Sequence, residues 1–348
     1  MTTIAIDINN LWGEGDDDYD SSESDEIVTC TTTTTKATLP TINCNATNLI
    51  ELSDFVTSSN FYSNYRSKTP VVIQSFINQF PIMMNQSSKI QSLLSTAYIQ
   101  EHQDQSRIEI NVLHANDKIH FFGNGLCTKS TMLITDVFSE AVMNGTYAGE
   151  PFYCRLRPIP KSFTTLFNLS FDANEAVDLE TTDSFETSIL FKKQLCACWI
   201  GSQGTITPLH FDTCHGLLAV LHGVKKVTLF PPEDSMYLYR DDSTFSDNPN
   251  SSKVDLEVYN TDDGSTSTST STSTRIPRYP PLNGSSYQEM YSRMEETSPK
   301  EVFLKDGEML YIPPGFWHTV ENVTATISVL LPFDMAGNED LHEALHLL

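Results

Sequence analysis

The sequence predicts a mainly β fold with flanking helices, of the sandwich or barrel type. Its 348 residues suffice for one large domain, and 39% of them are hydrophobic, which permits a substantial core. From about residue 185 onward, short apolar segments follow one another with Gly and Pro between them. Such a succession of short strands and turn residues is typical of sandwiches and barrels.

Residues 1–47 are predicted to form a disordered tail. The segment 14–26 carries eight acidic residues, and a run of threonines follows at 31–35. Such a segment has too few apolar side chains to offset the entropy lost on ordering. We expect a solvated leader, and an acidic arm for a basic partner is the alternative. The first residues lack a basic stretch followed by a long apolar one, so we expect no signal peptide.

Residues 48–184 are predicted to form an α/β part that precedes the main sheet region. Apolar residues at helical spacing predict a helix over 49–56, and further helices are predicted over 87–103 and 130–143. The apolar run 70–73 and the alternating segment 108–113 predict strands.

Residues 185–334 are predicted to form the jelly-roll core. The predicted strands cover residues 194–200, 209–212, 216–221, 226–230, 309–312, 317–322 and 325–331. Residues 240–282 interrupt them with acidic pairs and an alternating Ser/Thr tract, which predicts an exposed low-complexity insertion. It is interpreted as a tolerated loop expansion, with a phosphorylation target as the alternative.

Residues 335–348 are predicted to form a C-terminal helix. Asn338 is a suitable N-cap, and Leu341, Ala344, Leu345 and Leu348 then form an apolar stripe. The stripe either docks on its own domain or forms a homodimer interface.

The charge restricts the partners. There are 21 Lys and Arg against 45 Asp and Glu, a net charge of −24. Proteins that mainly bind nucleic acid or anionic membranes need a basic surface, so both classes are disfavoured. The apolar runs are far shorter than the ~20 residues of a spanning helix. We expect a cytoplasmic or nuclear protein with its seven cysteines reduced.

The residues that point to chemistry lie in the segment 204–213. His210 and Asp212 are two residues apart on a predicted strand, so both side chains face the same side. His318, on the predicted strand 317–322, is a third candidate. Two histidines and one carboxylate are the ligand set of non-haem Fe(II) oxygenases. Taken alone, a His-X-Asp pair is a weak signal, because isolated histidines are more often structural residues.

Three ordered motifs carry a family resemblance. They are Thr-Pro-Leu-His-Phe-Asp at 207–212, Gly-Val-Lys followed by Leu-Phe-Pro-Pro at 223–232, and Leu-Tyr-Ile-Pro-Pro-Gly-Phe-Trp-His at 310–318. Together they resemble the Jumonji C (JmjC) family, and more closely its small cupin-like hydroxylase branch. That branch includes factor-inhibiting-HIF-type asparaginyl hydroxylases and the wybutosine hydroxylase. Residues 55–73 resemble the start of such domains, so the resemblance covers about 48–334.

The resemblance implies a double-stranded β-helix, which is a cupin-like jelly roll, and an iron enzyme. His210, Asp212 and His318 would bind Fe(II). The implied activity is that of a 2-oxoglutarate-dependent dioxygenase, in which 2-oxoglutarate and dioxygen are consumed, succinate and CO2 are released, and a C–H bond is hydroxylated.

Three further residues would bind the cosubstrate if the resemblance holds. Lys225 would reach the distal carboxylate of 2-oxoglutarate, and its neighbour Lys226 should point to the opposite face. Thr207 and Tyr153 would contribute a hydroxyl and a phenol to the same carboxylate. The alternatives are a surface lysine, a turn hydroxyl and a core tyrosine.

The sequence departs from the family where many relatives have an asparagine. The corresponding places hold Gly216 and, near the end, Ser328 to Leu330. His215 could donate a replacement hydrogen bond, or it is a rim or core histidine. The cysteines Cys196, Cys198 and Cys214 are expected to be packed thiols, although a two-cysteine metal site is an alternative for the first two.

The predicted function is hydroxylation of a side chain in a protein or peptide substrate. The acidic surface favours a basic peptide. A tRNA-base hydroxylase and a histone lysine demethylase are alternatives with the same chemistry. The alternative of another class is a non-catalytic JmjC-like binding module, in which the changes at Gly216 and Leu330 have removed turnover.

Overall fold

The structure is a computed structural model. It describes residues 38–46, 49–76, 107–113, 127–133, 136–137, 146–147, 150–157, 159, 189–191, 196–241, 250–260, 279 and 285–335. No helix among these residues is long and apolar enough to cross a membrane. Residues 1–37 of the predicted tail, the predicted helix 87–103 and the predicted C-terminal helix lie outside the described residues.

The described residues form fifteen strands and a few short helices. The strands are β1 (Thr41–Asn43), β2 (Val71–Gln74), β3 (Arg107–Leu113), β4 (Cys127–Leu133), β5 (Thr146–Tyr147), β6 (Glu150–Leu156), β7 (Ile189–Phe191), β8 (Ala197–Gly201), β9 (Ile206–Phe211), β10 (His215–His222), β11 (Lys225–Phe230), β12 (Lys300–Leu304), β13 (Met309–Ile312), β14 (Trp317–Asn322) and β15 (Thr326–Met335). The α-helices are α1 (Leu49–Thr57), α2 (Ser59–Asn64), α3 (Leu256–Tyr259) and α4 (Tyr287–Met290), with 3-10 helices at Pro232–Tyr237 and Ser292–Glu296.

The strands build two sheets. The large sheet has the order β1-β2-β13-β10-β15-β8-β6-β3-β4, with β5 paired to β6 and β7 to β15. The small sheet has the order β12-β11-β14-β9. From β8 to β11, and again from β12 to β15, successive strands alternate between the two sheets. This alternation is the winding of a jelly roll, and the predicted double-stranded β-helix is confirmed.

The middle of the large sheet is buried on both faces, as strand β10 shows. On β10, Leu217, Ala219 and Leu221 pack in a core that also contains residues of α1 and α2. Leu218 and Val220 point the other way, into a second core shared with the small sheet. Because both faces are buried, β10 is a continuous apolar run rather than an alternating one. The second core lies inside the barrel, and the candidate site lies on its walls.

Most predicted strands after residue 185 are present, and one helix prediction is wrong in its first residues. Of the helix expected over 130–143, residues 130–133 belong to β4, which pairs with β3 along its whole length, whereas residues 136–137 are helical and the others lie outside the described residues. The apolar spacing of this segment matched a helix, but pairing with β3 outweighs local propensity. The expected helix at 49–56 and the strands at 70–73 and 108–113 correspond to α1, β2 and β3.

The predicted tail reaches too far into the domain. Residues 38–46 belong to the fold, because β1 pairs in parallel with β2 and Leu39, Cys44 and Ala46 are buried. The segment has only a few apolar residues after a long polar stretch, so composition alone does not reveal it.

The predicted insertion at 240–282 is not exposed throughout. The Phe211 amide donates to the Asn250 carbonyl at 3.0 Å, and the Ser252 amide donates to the Leu209 carbonyl at 2.9 Å. This segment therefore covers the edge of β9, and Ser252 and Val254 are fully buried. Residues 242–249, 261–278 and 280–284, which include the Ser/Thr tract, lie outside the described residues.

Candidate functional site

The two predicted histidine ligands lie opposite each other on neighbouring strands. His210 of β9 is paired in register with His318 of β14, and their ring centroids are 4.3 Å apart. Asp212 directly follows β9, and its Oδ2 lies 3.9 Å from Nε2 of His318. One ligand atom from each of the three residues lies within 4.8 Å of the others. The structure thus brings together the three residues that the spacing predicted.

Both imidazoles present the same nitrogen to the cluster. Nδ1 of His210 lies 2.8 Å from the Pro208 carbonyl, and Nδ1 of His318 lies 3.0 Å from the Phe316 carbonyl. A carbonyl only accepts, so each Nδ1 donates and each Nε2 keeps a free lone pair. Burial and the nearby His210 lower the pKa of His318, which keeps it neutral. This donor set, two imidazole Nε2 atoms and a carboxylate, fits Fe(II).

A β-bulge places Thr207 on the same wall as His210. His318 pairs with His210, but Val320 pairs with Thr207, so β9 has one residue more than β14 over this interval. Without the bulge, an odd spacing of three would turn Thr207 outward. With it, the buried Thr207 hydroxyl lies 3.1 Å from the hydroxyl of Tyr153. The two expected hydroxyl contacts are therefore neighbours.

Lys225 lies deeper on the same wall. It begins β11, where it pairs with Asn322, while Leu229 pairs with His318. Four residues along a strand correspond to about 13 Å. The side chain is only 1% exposed, and burial lowers the pKa of Lys225 to about 7. Lys226 faces the other way and forms an ion pair with Glu301 at 3.3 Å. The two lysines thus point to opposite faces of the strand, as expected from the sequence.

Sequence reasoning missed Asn322, which contacts Lys225. The Lys225 Nζ donates to Asn322 Oδ1 at 2.7 Å, and the asparagine is 1% exposed. An available signal was its position four residues after His318 on one predicted strand, which places both on one face. Asn322 lies outside the family motifs, the last of which ends at His318, so the motifs do not indicate it.

Trp199 and Arg155 were also missed, and they flank Tyr153. Arg155 pairs with Trp199 across β6 and β8, and its Cζ lies 5.4 Å from the centre of the indole. The rings of Tyr153 and Trp199 are 5.5 Å apart. Trp199 and Gly201 are two residues apart on β8, so both face the side of the sheet on which Tyr153 lies.

His215 does not take part in the site. It packs on the outer face of the large sheet, where its Nδ1 lies 2.8 Å from the Tyr311 hydroxyl and its ring stacks on Phe333 at 4.9 Å. Burial, and next the charge of Arg66, lower its pKa to about 3. It is a core histidine, as the alternative interpretation of the sequence had it.

The cysteines give no second metal site among the described residues. Cys196 and Cys198 pack in the outer core with Cys154 and are buried, whereas Cys214 is half-buried. Burial raises the pKa of Cys196 and of Cys154 to about 12. Across the described part of the chain, the group of His, Cys and acidic residues with metal-binding spacing is His210, Asp212 and His318.

Comparison with known proteins agrees with this geometry. A family model described as a cupin-like domain matches residues 58–339. The chain belongs to the cupin-like domain family. The resemblance to JmjC and cupin-like proteins predicted from the motifs is thereby confirmed, and the matched range contains both sheets' site strands.

Named relatives of this cupin-like chain match a shorter region. The chain is 34% identical over 133 residues to lysine-specific demethylase JMJ30 of Arabidopsis thaliana, which covers 38% of this chain and 24% of that protein. It is 31% identical over 133 residues to JmjC domain-containing protein D of Dictyostelium discoideum, covering 38% and 23%. It is 28% identical over 131 residues to lysine-specific demethylase 8 of Danio rerio, covering 38% and 25%. The matched region is about a quarter of the length of these relatives.

Proposed function

We propose that this chain is an Fe(II)- and 2-oxoglutarate-dependent dioxygenase that hydroxylates a side chain of a protein substrate. One observation carries the proposal. His210, Asp212 and His318 cluster at one level of the barrel wall, and the buried ammonium of Lys225 lies deeper on the same wall. A scaffold without a ligand has no use for a buried lysine there, because burying an ammonium is costly unless an anion compensates it.

The metal would be held by the two Nε2 atoms and by the Asp212 carboxylate. The backbone carbonyls of Pro208 and Phe316 fix both imidazoles in the required tautomer. When bound, Fe(II), 2-oxoglutarate and dioxygen supply the oxidation, in which the cosubstrate yields succinate and CO2 and a substrate C–H bond becomes C–OH. Three protein donors on one side of the ion would leave further positions for the cosubstrate and dioxygen.

Lys225, Thr207 and Tyr153 would bind the distal carboxylate of the cosubstrate. Lys225 offers N–H donors, and burial raises the pKa of Tyr153 to about 12, so the phenol remains a donor at neutral pH. The Tyr153 and Thr207 hydroxyls lie 3.1 Å apart, and either of them can be the donor in the hydrogen bond that joins them. The apolar second core around them limits the access of water.

A protein is the proposed substrate, and demethylation is the second candidate. Two of the relatives are named as lysine-specific demethylases, which favours a protein substrate and keeps N-methyl groups among the possible targets. The net charge of −24 favours basic peptides over nucleic acid. Product mass after incubation with methylated and unmethylated basic peptides separates the two chemistries, because hydroxylation adds an oxygen atom and demethylation removes a methyl group.

The first experiment is anaerobic addition of Fe(II) and 2-oxoglutarate to the purified protein, followed by visible spectroscopy. A weak charge-transfer band from chelated 2-oxoglutarate is expected. His210→Ala should abolish it, and Lys225→Ala should require at least tenfold more cosubstrate, the loss expected when a buried charge-assisted contact is removed. Lys226→Ala is the matched control, because this lysine faces away from the barrel, and it should behave as the wild type.

A protein that binds Fe(II) but never develops the band would contradict the proposal. That result would support the binding module instead. Equal effects of Lys225→Ala and Lys226→Ala would also contradict the assignment of the cosubstrate site.

A further inference from the structure

Asn322 connects Lys225 to the turn between β8 and β9. It is the last residue of β14, and its amide oxygen accepts a 2.7 Å hydrogen bond from the Lys225 ammonium. The amide nitrogen donates to the Thr205 hydroxyl at 2.7 Å, and that hydroxyl donates to the Ser202 carbonyl at 2.8 Å. Rotating the amide would point its NH2 group at the ammonium, so the chain of donors fixes its orientation.

The backbone of Asn322 is held at the same place. Its N–H donates to the Thr205 carbonyl at 2.9 Å, and its own carbonyl accepts from the Gly204 N–H at 2.7 Å. The side chain and the main chain are thus both tied to the turn between β8 and β9. Asn322 is therefore held in place by the turn, and its hydrogen bond in turn restricts the position of the Lys225 ammonium.

Gly201 allows these groups to meet. A Cβ at this position would lie 2.5 Å from Asn322 Nδ2, 2.6 Å from Tyr153 Cδ2 and 2.8 Å from Thr205 Oγ1. Because Gly201 has no side chain, Asn322, Tyr153 and Thr205 can approach one another at this position. Tyr153 also contacts Thr207, and Asn322 contacts Lys225, so the groups expected to bind the distal carboxylate are linked to this place through hydrogen bonds.

We propose that Asn322 is a positioning residue for Lys225, which holds the ammonium where the distal carboxylate of the cosubstrate would bind. This inference rests on the proposed function. A neutral amide suits the role because it occupies one of the three N–H donors and leaves the positive charge for the ligand. A carboxylate at the same place would pair with the ammonium and compete with the dicarboxylate.

The chain also lacks amides where the family resemblance suggests them. Those places hold Gly216, Ser328 and Leu330, and Gly216 faces Leu330 with Cδ1 at 3.6 Å from a Cβ built there. Asn322 supplies a buried amide from a different strand. The candidate site therefore has its own means of orienting the lysine.

The test uses three variants and the anaerobic band titration with Fe(II) and 2-oxoglutarate. Asn322→Leu removes the acceptor at similar size, and it should weaken 2-oxoglutarate binding at least tenfold. Asn322→Asp keeps the shape of the side chain and adds a carboxylate that competes with 2-oxoglutarate for Lys225. At about pH 6.5 it should therefore weaken 2-oxoglutarate binding at least as much as Asn322→Leu does. Asn260→Leu is the matched control, because Asn260 is exposed after α3, and it should bind as the wild type.

The pH dependence separates positioning from a merely structural effect. Wild-type affinity should fall between about pH 6.5 and about pH 8.5, because Lys225, with a pKa of about 7, must then take up a proton to bind. Asn322→Asp should flatten this dependence, because its carboxylate raises the pKa of Lys225. The other titratable neighbours are Cys198 on β8 and Tyr153 on β6, and burial raises both pKa values well above this range.

Thr205 gives an independent pair of variants. Thr205→Val leaves the Asn322 amide without its acceptor and should weaken binding, whereas Thr205→Ser keeps the hydroxyl and should restore most of the affinity. If the wild type shows no band, the proposed function fails. The inference alone is overturned if the wild type shows the band and both Asn322→Leu and Asn322→Asp bind 2-oxoglutarate as the wild type does, at about pH 6.5 and at about pH 8.5.

Discussion

At the residue scale, the candidate site depends on a lysine that is costly to bury. Lys225 is 1% exposed, and its pKa of about 7 lies well below the usual lysine value of about 10.4 because burial disfavours the charged form. In the ligand-free protein this residue therefore opposes folding. Residues that lower stability and yet persist inside a barrel are candidates for function.

Lys225→Met is expected to stabilise the ligand-free protein at about pH 6 and to abolish 2-oxoglutarate binding. The sign follows from proton counts. Below about pH 7 both the folded and the unfolded states carry the proton, and the folded state bears the full burial cost. Between this pH and about 10.5 the unfolded state binds more protons, so wild-type stability rises with pH relative to the variant.

Urea denaturation of both proteins at several pH values measures this difference. The advantage of the variant should shrink steadily from about pH 7 upward. A difference that does not change with pH would show that Lys225 is not buried as described.

Gly201→Ala and Gly216→Ala form a second matched pair at this scale. The first adds a Cβ less than 3 Å from three side chains, and the second adds one in ordinary contact distance. We expect Gly201→Ala to lower the free energy of unfolding by about 1–3 kcal/mol, and Gly216→Ala to change it by less than about 0.5 kcal/mol. Chemical denaturation checks the pair, and equal effects would contradict the close packing around Gly201.

At the element scale, β9 carries the metal-ligand candidate His210 and lies at the end of the small sheet. An uncovered edge strand presents unpaired backbone groups, and it is prone to shifts in register. Here the segment around Asn250–Ser252 pairs with that edge, and the aromatic pair Phe211 and Trp317, with centroids 4.7 Å apart, packs on the outer face. The insertion thus supports the strand that holds His210.

Val254→Ala tests whether the packing of this segment contributes to the free energy of unfolding. Val254 is fully buried in the cluster outside the small sheet. Removing two methyl groups should lower the free energy of unfolding by about 2 kcal/mol. Met236→Ala is the control, because that side chain is 64% exposed and its loss should cost less than about 0.5 kcal/mol. A Val254 variant as stable as the control would indicate that the segment is a passive loop.

At the scale of the whole molecule, the dominant feature is the net charge of −24. Like charges on one chain repel each other and disfavour the compact state. Raising NaCl from about 10 mM to about 300 mM shortens the screening length from roughly 30 Å to below 10 Å. We expect the midpoint of thermal unfolding to rise, and a gain of about 1 kcal/mol would correspond to roughly 2–4 °C.

A salt series at about pH 5.5 provides the control, because histidines whose pKa lies near the ordinary value of about 6.5 take up protons there and make the net charge less negative. The rise should be smaller in that series. The same screening should weaken the proposed binding of basic peptides, so salt is expected to act in opposite directions on stability and on substrate affinity. Equal salt responses at both pH values would contradict self-repulsion as the cause.

The sequence was sufficient where the signal is local or is carried by an ordered motif. The predicted strands at 309–312 and 317–322 match β13 and β14 because alternation and flanking turn residues are local features. The same local view failed at 130–133, where pairing with the distant β3 decides the conformation. It also failed for 38–46, because β1 depends on its partner β2.

The sequence by itself determined the kind of fold and the three metal-ligand candidates, since the His-X-Asp spacing and the family motifs are read in chain order. Only the tertiary structure decided which groups meet around Lys225. The bulge in β9 turns Thr207 inward toward Tyr153, and the register of β11 and β14 sets Asn322 against the lysine. Register and bulges follow from hydrogen bonding between strands that are far apart in the chain, and no local pattern encodes that pairing.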